Sequence, residues 1–107
     1  MTTWKACERN LTTRLGGQRL SNHALDQRVP DVETSAWSVE VKHRAKPLPA
    51  WLTGALDQAR ANATPGKLPL VVWHEKGRRH DNDVVCVRLR DWEEWYGELA
   101  VGEGEEE

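Results

Sequence analysis

Residues 29–44 read VPDVETSAWSVEVKHR, and the fold of this stretch decides what the rest of the chain can build. Asp31 to Thr34 and Trp37 to His43 each have the composition of a short strand, and Ser35-Ala36 between them reads as a turn. In a strand, side chains alternate faces, so Val39 and Val41 point one way and Glu40 and Lys42 the other. The valines supply core contact. Glu40 and Lys42 then lie about 7 Å apart by backbone rise alone, on one polar face, with Asp31 entering from the neighbouring strand.

Working outward, Trp4, Cys7, Leu11 and Leu15 recur at helical spacing and Gly16-Gly17 supplies a stop, which predicts a helix over roughly 3–15. Residues 18–20 read as a short strand and 21–28 as a polar loop. Downstream of the hairpin, Pro49 suits a first helical turn, and Trp51, Leu52, Ala55, Leu56 and Ala59 make the apolar face of a second helix ending near Ala63. Leu68 to His74 and Val84 to Leu89 read as strands around the charged turn GRRHDND. Asp91 is placed to cap a last short helix carrying Trp92, Trp95 and Tyr96, with a stop at Gly97. This order predicts a single α/β domain, a mixed central sheet flanked by helices, over residues 1–97. Residues 98–107, ELAVGEGEEE, lack apolar periodicity and are expected to form a disordered acidic tail.

Composition narrows the classes. At 107 residues one domain is expected. No stretch of about 18 uncharged apolar residues is present, so no membrane partner is expected, and the N-terminus lacks a secretory apolar run. Cys7 and Cys86 have neither zinc nor redox spacing and are expected to be reduced and buried, as in a cytoplasmic protein. The four histidines, 23, 43, 74 and 80, show no metal-ligand spacing, so zinc is not expected. The formal net charge of −2 conceals an asymmetry, because five of the 17 acidic residues fall in the last ten positions. A mildly basic body with an acidic end is compatible with a nucleic-acid partner without requiring one.

Two carboxylates and a lysine at a sheet edge match the needs of a divalent-metal phosphodiesterase. Hard oxygen ligands hold Mg²⁺, and a lysine can orient the attacking water and offset developing charge. The plainer reading of Glu-Val-Lys is an exposed ion pair worth little. Glu8 adds an independent anomaly. At 100° per residue it falls about 20° from Leu15, on the apolar side of the helix, where a carboxylate needs a partner or a cation unless it sits at the stripe's edge. It can alternatively pair with an arginine such as Arg19. Basic residues flank these positions: Arg19 and Arg28 around the loop, and His43, Arg44 and Lys46 after the strand. They can contact phosphate without reading sequence, or be ordinary solvated charge.

The spacing Pro30-Asp31…Glu40-Val41-Lys42 resembles the PD-(D/E)XK nuclease signature. With helix-one Glu8, a Gly-Gly exit, Arg19 and Ser21 in a loop, the chain resembles archaeal-type Holliday junction-resolving enzymes. The stretch LPAWLTGALDQARANATPGKLPLVVWHEKGRR is similar to phage-encoded members of that group. The resemblance implies a restriction-endonuclease-like core and a homodimer that cuts branched double-stranded DNA by paired nicks with Mg²⁺, Mn²⁺ substituting. The setting would be cytoplasmic, the host's if phage-encoded. By position, Asp31 and Glu40 would be metal ligands beside the main-chain carbonyl of Val41, Lys42 would assist the water, and Glu8 would complete the acidic site. Ser21 would take the place of a loop serine that helps cleavage, although Asn22 follows where the group usually has glycine. Gln58 corresponds to a helix glutamine that points toward the site in several PD-(D/E)XK groups, and is otherwise a surface residue. The alternatives are a phage nuclease acting on other DNA structures, or a DNA-binding module of this fold that does not cut.

Overall fold

Thr3 opens the first helix by accepting the N–H of Ala6 on its hydroxyl at 3.1 Å, and α1 spans Trp4–Leu15. Gly16 ends it in the left-handed conformation, φ 69°. The N–H groups of Gly16 and Gly17 return to the carbonyls of Thr13 and Thr12 at 3.2 and 2.9 Å, a Schellman closure. The structure, a computed structural model, describes residues 3–19 and 30–104. The chain divides into two compact units, Met1–Pro47 and Leu48–Glu107.

In the first unit, β1 (Gln18–Arg19), β2 (Val32–Glu33) and β3 (Ser38–Val39) form an antiparallel sheet in sequence order, with α1 against β1 and β2. Val32 on the middle strand is fully buried. Gly17 is required by proximity: a Cβ there would meet the Glu33 carbonyl oxygen at 2.7 Å and Val32 Cγ1 at 2.9 Å. The hairpin turns at Ser35-Ala36, as its sequence predicts. Thr34 receives the N–H groups of Ala36 and Trp37 on its hydroxyl at 3.2 and 2.9 Å and donates its own to the Trp37 carbonyl at 2.9 Å.

The ladder stops sooner than expected, at Val39 rather than His43. The register pairs Val32 with Val39, so Val41 falls opposite Pro30, which has no N–H to give. The Val41 N–H goes instead to Asp31 Oδ2 at 2.7 Å. A side chain has taken the place of the next rung.

The second unit begins with α2, Ala50–Asn62, where the N–H groups of Leu52 and Thr53 in the first turn reach the Pro49 carbonyl at 3.0 and 3.1 Å. Leu52 and Leu56 are its buried residues, and the helix lies against β4 (Val71–Trp73). Trp51 meets Trp73 edge-to-face at 4.5 Å between ring centroids. β4 pairs antiparallel with β5 (Val84–Cys86) through a connection containing a 3₁₀ turn at His80–Asn82. Cys7 and Cys86 are free, and both are half-buried rather than buried.

The strands therefore form two small antiparallel sheets, and no mixed central sheet is present among the described residues. Strands of two or three residues offer few rungs. A hairpin closes its short loop at a lower entropic cost than a distant parallel pairing, so local partners win.

The last helix, α3, spans Leu89–Gly104 and differs from expectation at both ends. The Arg88 carbonyl accepts from Asp91 and Trp92, both at 3.0 Å, so the helix starts before Asp91 and places that residue in its first turn. It also runs past Gly97 into the stretch expected to be disordered. One interior glycine costs about 1 kcal/mol, not enough to end a helix whose next residues are Glu, Leu and Ala. Two ion pairs join α2 to the start of α3: Asp57 Oδ1 with Arg88 Nη2 at 2.8 Å and Arg60 Nη1 with Asp91 Oδ1 at 3.8 Å. No helix of the described residues is long and apolar enough to cross a membrane.

Candidate active site

The first unit holds a cleft of about 360 Å³ lined by Trp4, Glu8, Asp31, Glu40, Val41, Lys42, His43 and Arg44. Residues up to 40 positions apart in the chain thus share one concavity. α1 contributes Glu8, which at 5% exposure is that helix's one buried residue, while Trp4 is 56% exposed. The carboxylate lies where the helical angle predicted, and the apolar residues around it are the more exposed ones.

Asp31 enters just before β2. Its bond to the Val41 N–H is charge-assisted and ties the end of one strand to the segment after the other. The alternation expected beyond β3 persists without a ladder: Val39 and Val41 are half-buried, and Glu40 and Lys42 are exposed. Lys42 Nζ lies 3.5 Å from Glu40 Oε2. The carboxylates of Glu8, Asp31 and Glu40 face one cleft but are not drawn into one ligand sphere. Among the described residues, the only three potential metal donors within 4.8 Å of one another lie elsewhere.

His43 and Arg44, expected as phosphate contacts, line the cleft. Lys46 is exposed in the turn that follows and is not among the lining residues. Gln58 is exposed on α2 in the second unit. Ser21 and Arg28 lie outside the described residues. Arg19 is placed only as a backbone position of β1.

The compact donor group is His74, His80 and Asp83. It corrects the expectation that no histidines here are arranged for a metal. Asp83 Oδ1 lies 2.6 Å from His74 Nδ1, and Oδ2 lies 2.9 Å from His80 Nδ1. The imidazole centroids are 4.5 Å apart, tilted by 32°. Hydrogen bonds from His80 and then His74 hold the Asp83 carboxyl below its ordinary pKa, because both stabilise its charged form. Linear spacing hid this group. Trp73 pairs with Val84, so the next position of the same register sets His74 against Asp83, and the 3₁₀ turn brings His80 alongside three residues earlier.

Comparison with family models, curated proteins and solved structures gave no match for this chain.

Proposed function

We propose that the chain is a metal-dependent, structure-selective DNA endonuclease, acting on four-way junctions by paired nicks as a homodimer. One observation carries this reading: Glu8 on α1 lines a single cleft with Asp31, Glu40 and Lys42, which begin 23 positions later in the chain, and His43 and Arg44 lie beside them. The donor set is all carboxylate oxygen, which suits Mg²⁺ or Mn²⁺ rather than a softer ion. Asp31 and Glu40 would hold the cation, with Glu8 completing the acidic wall and the Val41 carbonyl close by.

When bound, the cation polarises the scissile phosphate and lowers the pKa of a coordinated water. The chain's own residues do the rest. Lys42, released from its exposed pair with Glu40, orients the attacking water and offsets charge developing on the phosphate. His43 and Arg44 bind the DNA backbone and set its register in the cleft. The bond from Val41 to Asp31 fixes one carboxylate oxygen, so Asp31 is the preorganised ligand and exposed Glu40 the adjustable one.

A second reading, a DNA-binding module that does not cut, draws on the observation that the three carboxylates are not gathered within one ligand sphere. One gel separates the two. Labelled four-way junction and matched linear duplex are incubated with and without Mg²⁺. Junction cleavage only with the metal, and binding that persists in chelator, is the expected result. Binding without cleavage would leave the module reading. Equal cutting of linear duplex would remove the junction assignment, and undiminished cutting in chelator the metal mechanism.

A further inference from the structure

We propose that His74, His80 and Asp83 form a binding site for a divalent transition metal of the zinc class, held at the β4–β5 hairpin with a coordination position left open. The site lies wholly in the second unit and rests on none of the residues assigned to nuclease chemistry.

Two imidazoles and a carboxylate are borderline donors, the set that favours Zn²⁺, Co²⁺ or Ni²⁺ over Mg²⁺. All three offer a donor atom within 4.8 Å of the others. Tetrahedral bonds of about 2.0–2.2 Å require donors roughly 3.4 Å apart. Each imidazole lies close to its own carboxylate oxygen, His74 at 2.6 Å from Oδ1 and His80 at 2.9 Å from Oδ2, so an ion entering between them requires only a small spreading of the group. His80, with its side chain 85% exposed, can make that adjustment, while Asp83 at 12% stays fixed.

The backbone is built to hold the three together. The Glu75–Arg78 turn closes with an N–H to carbonyl bond of 3.1 Å, and Gly77 takes the positive φ, 86°, that the turn demands. The following 3₁₀ turn sends the Asn82 and Asp83 N–H groups to the carbonyls of Arg79 and His80 at 3.0 and 2.9 Å. The hairpin register then sets Asp83 across from His74. Ordinary solvated charge does not call for two imidazoles converging on one largely buried carboxylate. Three protein donors leave a fourth position for water or a ligand atom.

The test uses the full chain, dialysed free of metal, titrated with Zn²⁺ by calorimetry and with Co²⁺ by its visible absorption. One equivalent per chain is expected, with the intense d–d bands of low-coordinate Co²⁺. His74→Ala and Asp83→Asn should each weaken Zn²⁺ by about ten-fold or more, since even outer-shell partners of metal ligands carry 10–100-fold. Circular dichroism checks that both variants fold, and His80→Ala serves where either does not. The Cys7→Ser/Cys86→Ser double variant should bind as the parent does. No saturable binding would overturn the proposal and leave a hydrogen-bonded His–Asp–His cluster. Binding unchanged in all three ligand variants, or lost in the cysteine variant, would also overturn it by placing the metal elsewhere.

Discussion

A glutamate is the one buried residue of α1, and that inversion makes Glu8 the sharpest single test of the cleft. If its charge is there for a cation, Glu8→Gln keeps the shape and removes what the cation needs. Apo melting is then expected to be unchanged or slightly raised, the Mg²⁺-dependent rise in Tm reduced, and cleavage lowered by about 10²-fold or more. A structural ion-pair role gives the opposite pattern, a lower Tm with cleavage spared. Asp31 calls for a paired substitution, because it holds the Val41 N–H and is also proposed as a metal ligand. Asparagine retains an oxygen for the Val41 N–H, so Asp31→Asn should fold and lose turnover. Alanine leaves that donor without its partner and should cost a further ~1–3 kcal/mol in denaturant melts. Equal stabilities of the two variants would sink the structural half of this account, and near-normal turnover by the asparagine variant the catalytic half. Lys42 is exposed, so Lys42→Ala is expected to abolish turnover at unchanged stability.

At the scale of elements, most of what the sequence predicted correctly was local. Helix α1 with its glycine exit, the Ser35-Ala36 turn and the apolar face of α2 follow from propensity and periodicity, which act over a few residues. What was missed depends on partners further away. Strand length depends on who takes each N–H, and Pro30 and the Asp31 side chain together end the ladder that composition alone would extend to His43. Sheet number depends on which strands meet, and strands this short pair with their neighbours. The His74–His80–Asp83 group exists only through hairpin register, which ligand spacing along the chain does not encode. Glu8 was legible because helical angle is a local property that places it directly. Gly17 shows how a local signal can carry a tertiary role. The Gly16-Gly17 pair predicts a helix stop; Gly16 supplies the left-handed turn, while Gly17, whose N–H completes the closure, also admits the β2 backbone. Gly17→Ala should destabilise the first unit by about 1–3 kcal/mol through overpacking against the Glu33 carbonyl. A melting curve that matches the parent would mean the backbone relaxes there freely.

For the molecule as a whole, the proposed nicking of junctions turns charge and self-association into measurable expectations. Cutting two opposed strands of a junction requires two sites related by a two-fold axis, so a dimeric mass at micromolar concentration is expected, and a monomer with and without junction DNA would count against paired nicking. Exposed Trp51, Val72, Val84 and Val85 give the second unit apolar surface of the kind a self-complementary contact uses. If DNA is the partner, the acidic end is expected to act on its affinity through its field. Glu98, Glu103, Glu105, Glu106 and Glu107 account for five negative charges, and without them the formal net charge changes from −2 to +3. Because α3 continues through Gly104, deleting the end would also cut a helix. Replacing the five glutamates by glutamine changes the charge and keeps the chain. Like charges repel phosphate over the Debye length, about 30 Å at 0.01 M salt and about 10 Å at 0.1 M. The neutralised variant should therefore bind DNA several-fold more tightly at low salt, with the gain shrinking as salt rises and the melting temperature little changed. Equal affinities at low ionic strength would show that these carboxylates do not act on the bound DNA. A gain that persisted undiminished in high salt would point to a direct contact and not to the field.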